Sequence, residues 1–312
     1  MEYSKTNRSE PRNPKPKTQN PKYGTLFVVS TPIGNLEDVT LRALRVLKYV
    51  DIIAAENVTH TRGLCKHYGI KTKLISCHQH NQKVKVPELI KRLKAGDNMA
   101  IVTDAGTPGI SDPGRFLINI AAMEDITVTP IPGPSAVISA LSVSGMPTEE
   151  FVFLGFLSNK PGKRKKEFLG LASESRTMVF FEAPHRIEAM LTDLKEILGN
   201  RHMVILREMT KIFEEVKRGP VSEILKYLIP DKLRGEFTLV VAGSETEEVY
   251  TLSEEVIDRI KELIAEKKNS IKDIAGLLSS QERPTYRQIY KECIVRKKEL
   301  ERIEADGAGQ KT

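Results

Sequence analysis

Between Thr25 and Ile131 the chain alternates short apolar runs with segments whose apolar residues recur at helical spacing. "LFVVS", "DIIAAE", "KLISC", "MAIVTD" and "ITVTPIP" have the length and evenness of strands buried on both faces. Between them lie "DVTLRALRVLKYV", with Leu41, Leu44, Val46 and Leu47 mostly to one side, "THTRGLCKHYGI", "VPELIKRLKAG" and "FLINIAAM". Gly69 and Gly96 stop two of these helices. Regular alternation of this kind predicts a parallel sheet with right-handed helical crossovers.

The pattern changes near Gly133. A small-residue helix, "GPSAVISALSVSGMP", leads to the strand "FVFLGFL" and a basic loop, "SNKPGKRKKEF". Further strands are "TMVFFE", "HMVILRE", "EEVKRGP" and "EFTLVVAG", with "RIEAMLTDLKEIL" as a helix among them. Strands that follow one another so closely predict a second, mixed sheet. After Gly243 the chain turns charged and helical, and "SSQERP" between two short helices predicts a helix-turn-helix-like unit. The expected organisation is a disordered basic arm over 1–23, an α/β domain over 24–132, a second over 133–245, a helical appendage over 250–303 and a disordered tail over 304–312.

The 312 residues carry a formal net charge of +7, which is compatible with a polyanionic partner. The three cysteines, Cys65, Cys77 and Cys293, are scattered, so neither a disulfide framework nor a metal site is expected. "CHQH" reads as a polar loop. No secretory leader or membrane span is expected, and the location expected is cytoplasmic.

Chemistry concentrates where the strands of the first sheet end. "TPIGNLED" follows the first, "ENVTHT" the second, "AGTPGISDPG" the fourth and "PGPSA" the fifth. Open α/β sheets bind ligands at that edge. Glycine lets backbone approach a ligand, proline stiffens the loop, and the amides that open the helix at "GPSA" suit a carboxylate. A P-loop and a G-x-G-x-x-G fingerprint are both missing.

"TPIGNLEDVTLRAL", "AENVTHT", "DAGTPGISDPG", "PIPGPSA", "FFEAPHR" and "LREMTK", in that order, resemble the ribosomal RNA small-subunit methyltransferase I family, of the tetrapyrrole-methylase fold. The resemblance covers Thr25 to Gly243. It implies two α/β domains, S-adenosylmethionine as methyl donor, a homodimer, and the ribose 2′-hydroxyl of a cytidine in the decoding region of 16S rRNA as acceptor. Two other readings are a tetrapyrrole methyltransferase of the same fold and a non-catalytic RNA-binding relative.

Carried over by position, the donor is met by Pro32, Ile33, Gly34, Asp104, Ala105, Gly106, Thr107, Ser111, Asp112, Pro132, Gly133, Pro134, Ser135 and Ala136. Phe181, Glu182, Leu206, Arg207 and Glu208 contribute from the second domain. Asp104 either accepts from the donor's polar groups or caps its own loop. Glu56, Glu182, His185 and Lys211 are all candidates for proton removal. Candidate RNA contacts are Lys160, Lys163, Arg164, Lys165 and Lys166 in the basic loop, with Arg62 and Arg186. The tail adds Arg283, Arg287, Lys291, Arg296, Lys297 and Lys298. "AENVTHT" departs from the family's A-E-D-T-R-x-T: Asn57, Val58 and Thr59 stand where Asp, Thr and Arg are usual. Arg62, three positions beyond Thr59, is the expected replacement for the missing charge.

Overall fold

The computed structural model describes residues 22–228, 235–244, 252–266, 268–279, 289–290, 292–297 and 299. Two compact units divide the chain between positions 244 and 245.

The first unit holds two five-stranded sheets. One contains β1 (Thr25–Val29), β2 (Ile52–Ala55), β3 (Lys73–Ser76), β4 (Met99–Val102) and β5 (Thr127–Ile131) in the order β3-β2-β4-β1-β5. All its pairings are parallel. Successive side chains on a strand point to opposite faces. Phe27, Val29, Ile53, Ala55, Ala100 and Val102 therefore pack on one face with residues of α1 (Leu41–Tyr49) and α2 (Val58–His67). Leu26, Ile52, Ala54, Met99 and Ile101 pack on the other with α3 (Gln82–Lys94) and α4 (Arg115–Met123). Crossovers leave on one face after β1 and β2 and on the other after β3 and β4, which opens a crevice at the carboxyl ends of β1 and β4.

α5 (Ala136–Ser144) follows β5 but packs on the other sheet: Val137, Ala140 and Leu141 meet Val179, Val204, Leu206 and Val240. That sheet contains β6 (Phe151–Phe156), β7 (Thr177–Glu182), β8 (His202–Arg207), β9 (Glu215–Pro220) and β10 (Phe237–Val241), in the order β6-β7-β10-β8-β9. β6 runs parallel to β7 and the remaining pairs are antiparallel, so the sheet is mixed as the strand spacing predicts. Its other face is covered by α6 (Pro161–Leu169), α7 (Ile187–Leu198) and α8 (Val221–Tyr227).

Three details depart from the expected elements. α3 starts at Gln82, so Pro87 lies inside it as the sixth residue and leaves the Lys83 carbonyl without its helical N–H donor. A short 3₁₀ turn, Leu36–Asp38, precedes α1. The basic run is not a loop but α6, with Pro161 in its first turn, where its fixed φ suits a helix. Its Arg164 is buried, 3 % exposed, with Nε 2.8 Å from Asp193 Oδ2. That guanidinium belongs to the core and is not an RNA contact.

The second unit contains α9 (Glu254–Ala265), α10 (Ile271–Leu278) and helical residues near its end. Leu252, Ile260, Leu263, Ile274, Ala275, Ile289 and Cys293 form its core. A reciprocal cap between Ser270 and Asp273 starts α10. The expected turn at "SSQERP", with Arg283, Arg287, Lys291 and Lys298, lies outside the described residues apart from Ser279. So do residues 1–21 of the expected arm and the tail over 304–312. Among the described residues no helix is long and apolar enough to cross a membrane.

Candidate active site

Side-chain and backbone bonds tie the loops after β1, β4 and β5 together. Ser30 Oγ lies 2.8 Å from Thr107 Oγ1, and Thr107 Oγ1 donates to the Pro134 carbonyl at 3.5 Å. Thr31 and Gly106 exchange backbone bonds of 2.9 and 3.0 Å. Gly106 takes φ +78°, open to glycine without strain. At Gly133 a Cβ atom would sit 2.9 Å from Ser30 Cβ, so the loops after β1 and β5 approach as closely as they do only because that side chain is missing. Ser135 caps α5 by accepting from the Ile138 amide.

These loops face the second sheet across a cavity of about 280 Å³. The first sheet's loops and α5 supply Ile33, Ala105, Gly106, Thr107, Ser111, Asp112, Ser135 and Ala136, all expected. The far wall carries Phe181 and Glu182 of β7, also expected, and Phe156, Phe237 and Thr238, which were not. β7 and β10 are antiparallel neighbours with Thr238 opposite Phe181, so pairing brings residues distant in the chain to one wall. Phe181 packs edge-on against Phe153, with ring centroids 5.0 Å apart.

The remaining predicted residues stand around this cavity. Pro32 and Asp104 line a neighbouring cavity on the α2 side. Gly34 lies against the loop after β8, where a Cβ would come within 2.6–2.8 Å of Lys211, Thr210 and Met209, and the Asn35 amide donates to Thr210 Oγ1 at 3.0 Å. Leu206 is a core side chain, Arg207 pairs with Glu215 at 3.3 Å and Glu208 with Lys211 at 2.8 Å. These three do not line the cavity.

The cleft is acidic. Burial first, then the charges of Glu56, Asp104 and Glu236, push the Asp112 carboxyl up to about 6. Burial also raises Glu56, although the Asp104 amide, 3.4 Å from its Oε2, acts the other way. Burial raises Glu182 against the pull of the Ala183 amide and Arg186. Asp104 Oδ1 and Glu182 Oε2 are buried atoms with no hydrogen-bond partner among the described residues, a state that calls for an external donor.

The four proton-removal candidates separate. Glu182 Oε1 lies 3.0 Å from Arg186 Nε, and Lys211 is held by Glu208, which Lys211 in turn holds below the usual carboxylate range. His185 is exposed and does not line the cavity. Glu56 stands beside Asp104. Arg186, a candidate RNA contact, instead donates to the Leu157 carbonyl at 2.6 Å and pairs with Glu182. Lys160, Lys163 and Lys166 are exposed, whereas Lys165 reaches Glu196 at 2.6 Å and Arg296 bridges Glu292 and Glu299. Asn57 accepts from the amides of Thr59 and His60, so it caps α2 in place of the family's usual Asp.

Two sheets meeting over a crevice shaped by glycine and proline define the tetrapyrrole-methylase class of fold, and residues 25–225 match the family of Tetrapyrrole (Corrin/Porphyrin) Methylases. A uroporphyrin-III C-methyltransferase from Thermus thermophilus, solved in complex with S-adenosyl homocysteine, superposes with a TM-score of 0.52 over 70 % of this chain and 97 % of that one. At 15 % identity the likeness is one of fold. Ribosomal RNA small subunit methyltransferase I of Synechocystis sp. is 43 % identical over 290 residues, 91 % of this chain and all of that protein. The protein of that name from Halalkalibacterium halodurans is 44 % identical over 259 residues, 81 % of this chain and 90 % of its own. The chain belongs to the ribosomal RNA small subunit methyltransferase I family, and it is a methyltransferase.

Proposed function

We propose that the enzyme moves a methyl group from S-adenosylmethionine to the 2′-hydroxyl of a cytidine ribose in the decoding region of 16S rRNA. The observation that carries this reading is the 280 Å³ cavity framed by three tied loops and the Phe181–Glu182 wall. Its residues fit such a donor. The opening amides of α5 suit a carboxylate, and the aromatic wall at Phe156 and Phe181 suits a flat ring. The carboxylates around Asp112 suit a cation, and Glu182 Oε2 waits for a donor group. When bound, the donor supplies a methyl group on a sulfonium, already a good leaving group.

The chain's own work is alignment and proton removal. The linked loops hold the donor's surroundings rigid before it arrives. Among the candidates for the hydroxyl proton, Glu182 lines the cavity but pairs with Arg186, Lys211 pairs with Glu208, and Glu56, outside the cavity lining, carries a burial-raised carboxyl beside Asp104. The names of the relatives support small-subunit rRNA as substrate over a tetrapyrrole. Transfer of labelled methyl to unmodified small subunits, compared with free 16S rRNA and followed by mapping, tests the reading. Label on one cytidine ribose is the expected result; label on a base, or none, overturns it. Sedimentation of the enzyme reads the homodimer that the family resemblance implies.

A further inference from the structure

We propose that a second cavity, of about 690 Å³ beside α2, seats the sugar–phosphate unit of the RNA strand being methylated. The inference rests on the reading above and assigns its substrate a place. The wall is one face of α2: His60, Gly63 and His67 recur at helical spacing, with Lys66 alongside. Thr103 and Asp104 form the floor. Imidazole and ammonium groups donate to phosphate oxygens, and the unpartnered Asp104 Oδ1 accepts from a sugar hydroxyl.

Glycine inside a helix costs about 0.5–1 kcal/mol relative to alanine. Gly63 is helical, takes no positive φ, and a Cβ built on it meets nothing within 4 Å. Gly63 is exposed and faces open space, so a large side chain placed there enters the cavity without first displacing a neighbour.

The cavity adjoins the donor site. The loops after β1 and β4 serve both: Pro32 and Asp104 face this one, Ile33, Ala105 and Gly106 the other, on either side of the Thr31–Gly106 bridge. A strand anchored by its phosphate at α2 therefore runs along the rim of the donor site. Arg62, exposed on α2, does not line the cavity.

The test uses the full chain with Gly63→Phe, which fills the cavity, and the double variant Lys66→Gln/His67→Gln. Three measurements are made: S-adenosyl homocysteine binding by calorimetry, affinity for a single-stranded RNA oligonucleotide of the decoding-region sequence against salt, and methyl transfer to small subunits. Expected are wild-type S-adenosyl homocysteine affinity, RNA affinity at least about tenfold weaker for each variant, and a shallower salt slope for the double variant. Transfer loses mainly in KM. Wild-type RNA affinity in Gly63→Phe overturns the inference. So does a change of sedimentation without a change in RNA affinity, which makes the cavity a contact between copies of the chain. A wild-type enzyme that binds the oligonucleotide but never methylates small subunits overturns the proposed function, while the RNA-binding arm still decides this inference.

Discussion

Replacing Arg164 by alanine separates a core ion pair from an RNA contact. Arg164 and Asp193 are 3 % and 7 % exposed. The guanidinium meets Asp193 through Nε at 2.8 Å and through a terminal nitrogen at 2.5 Å, and reaches the Ala189 carbonyl at 3.4 Å. Removing one partner of a buried pair leaves the other charge uncompensated, at a cost of about 3–5 kcal/mol. Lys165, 3.7 Å from Asp193 and partly exposed, softens the loss, so the lower end of roughly 3 kcal/mol applies. In a unit of this size each kcal/mol moves Tm by about 2–4 °C, giving a fall of roughly 6–12 °C by scanning calorimetry. Arg164→Met with Asp193→Leu removes both charges and recovers most of that fall. Below the transition, Arg164→Ala binds RNA with wild-type affinity and salt slope, whereas Lys163→Ala/Lys166→Ala, exposed on the same helix, has a shallower slope. An Arg164→Ala protein with unchanged Tm and weakened RNA binding would refute this reasoning.

A folded carboxyl held at about 6 keeps a proton that the unfolded chain, near 3.8, has already released. Stability therefore falls as pH rises across that window, and Asp112→Asn flattens the fall in urea titrations. A cationic donor favours the charged carboxylate, so its affinity, measured by calorimetry, climbs as pH rises through about 6 and then levels off. Gly34→Ala forces a Cβ to within 2.8 Å of Thr210 Oγ1 and the Met209 carbonyl, and this overpacking costs about 1–3 kcal/mol, read as a lowered Tm by scanning calorimetry. Asn57→Ala removes the cap of α2 and costs about 1 kcal/mol in chemical denaturation, whereas Asn57→Asp keeps the cap and is neutral or slightly stabilising.

The first sheet was legible because its strands are evenly apolar and its helices amphipathic, a pattern that fixes parallel pairing. The expected loops do gather at one edge, since carboxyl ends of parallel strands all point the same way. Two kinds of information were not in the local pattern. The far wall at Phe237 and Thr238 depends on which strands of the second sheet are neighbours, and pairing register is a tertiary outcome. Arg164, by contrast, looks like its neighbours in "GKRKKE", and only the helical phase of α6 against α7 turns that one cation inward while Lys163 and Lys166 stay in solvent. His60 and His67 were hidden for a similar reason: their shared face exists only once α2 is wound.

Among the described residues, each of the four edge strands carries its own obstacle to an additional strand. β3 has only four residues and starts with Lys73. β5 contains Pro130, which has no amide proton to offer. β6 bulges at Gly155, with φ +63°. β9 presents Lys217 and Arg218 and ends in Pro220. Exposed edges are where partly opened chains recruit one another into aggregates. With every rim blunted, concentrated enzyme is protected against edge-to-edge polymerisation, and engineering that straightens the Gly155 bulge or removes Pro130 will be paid for in solubility before it registers in folding.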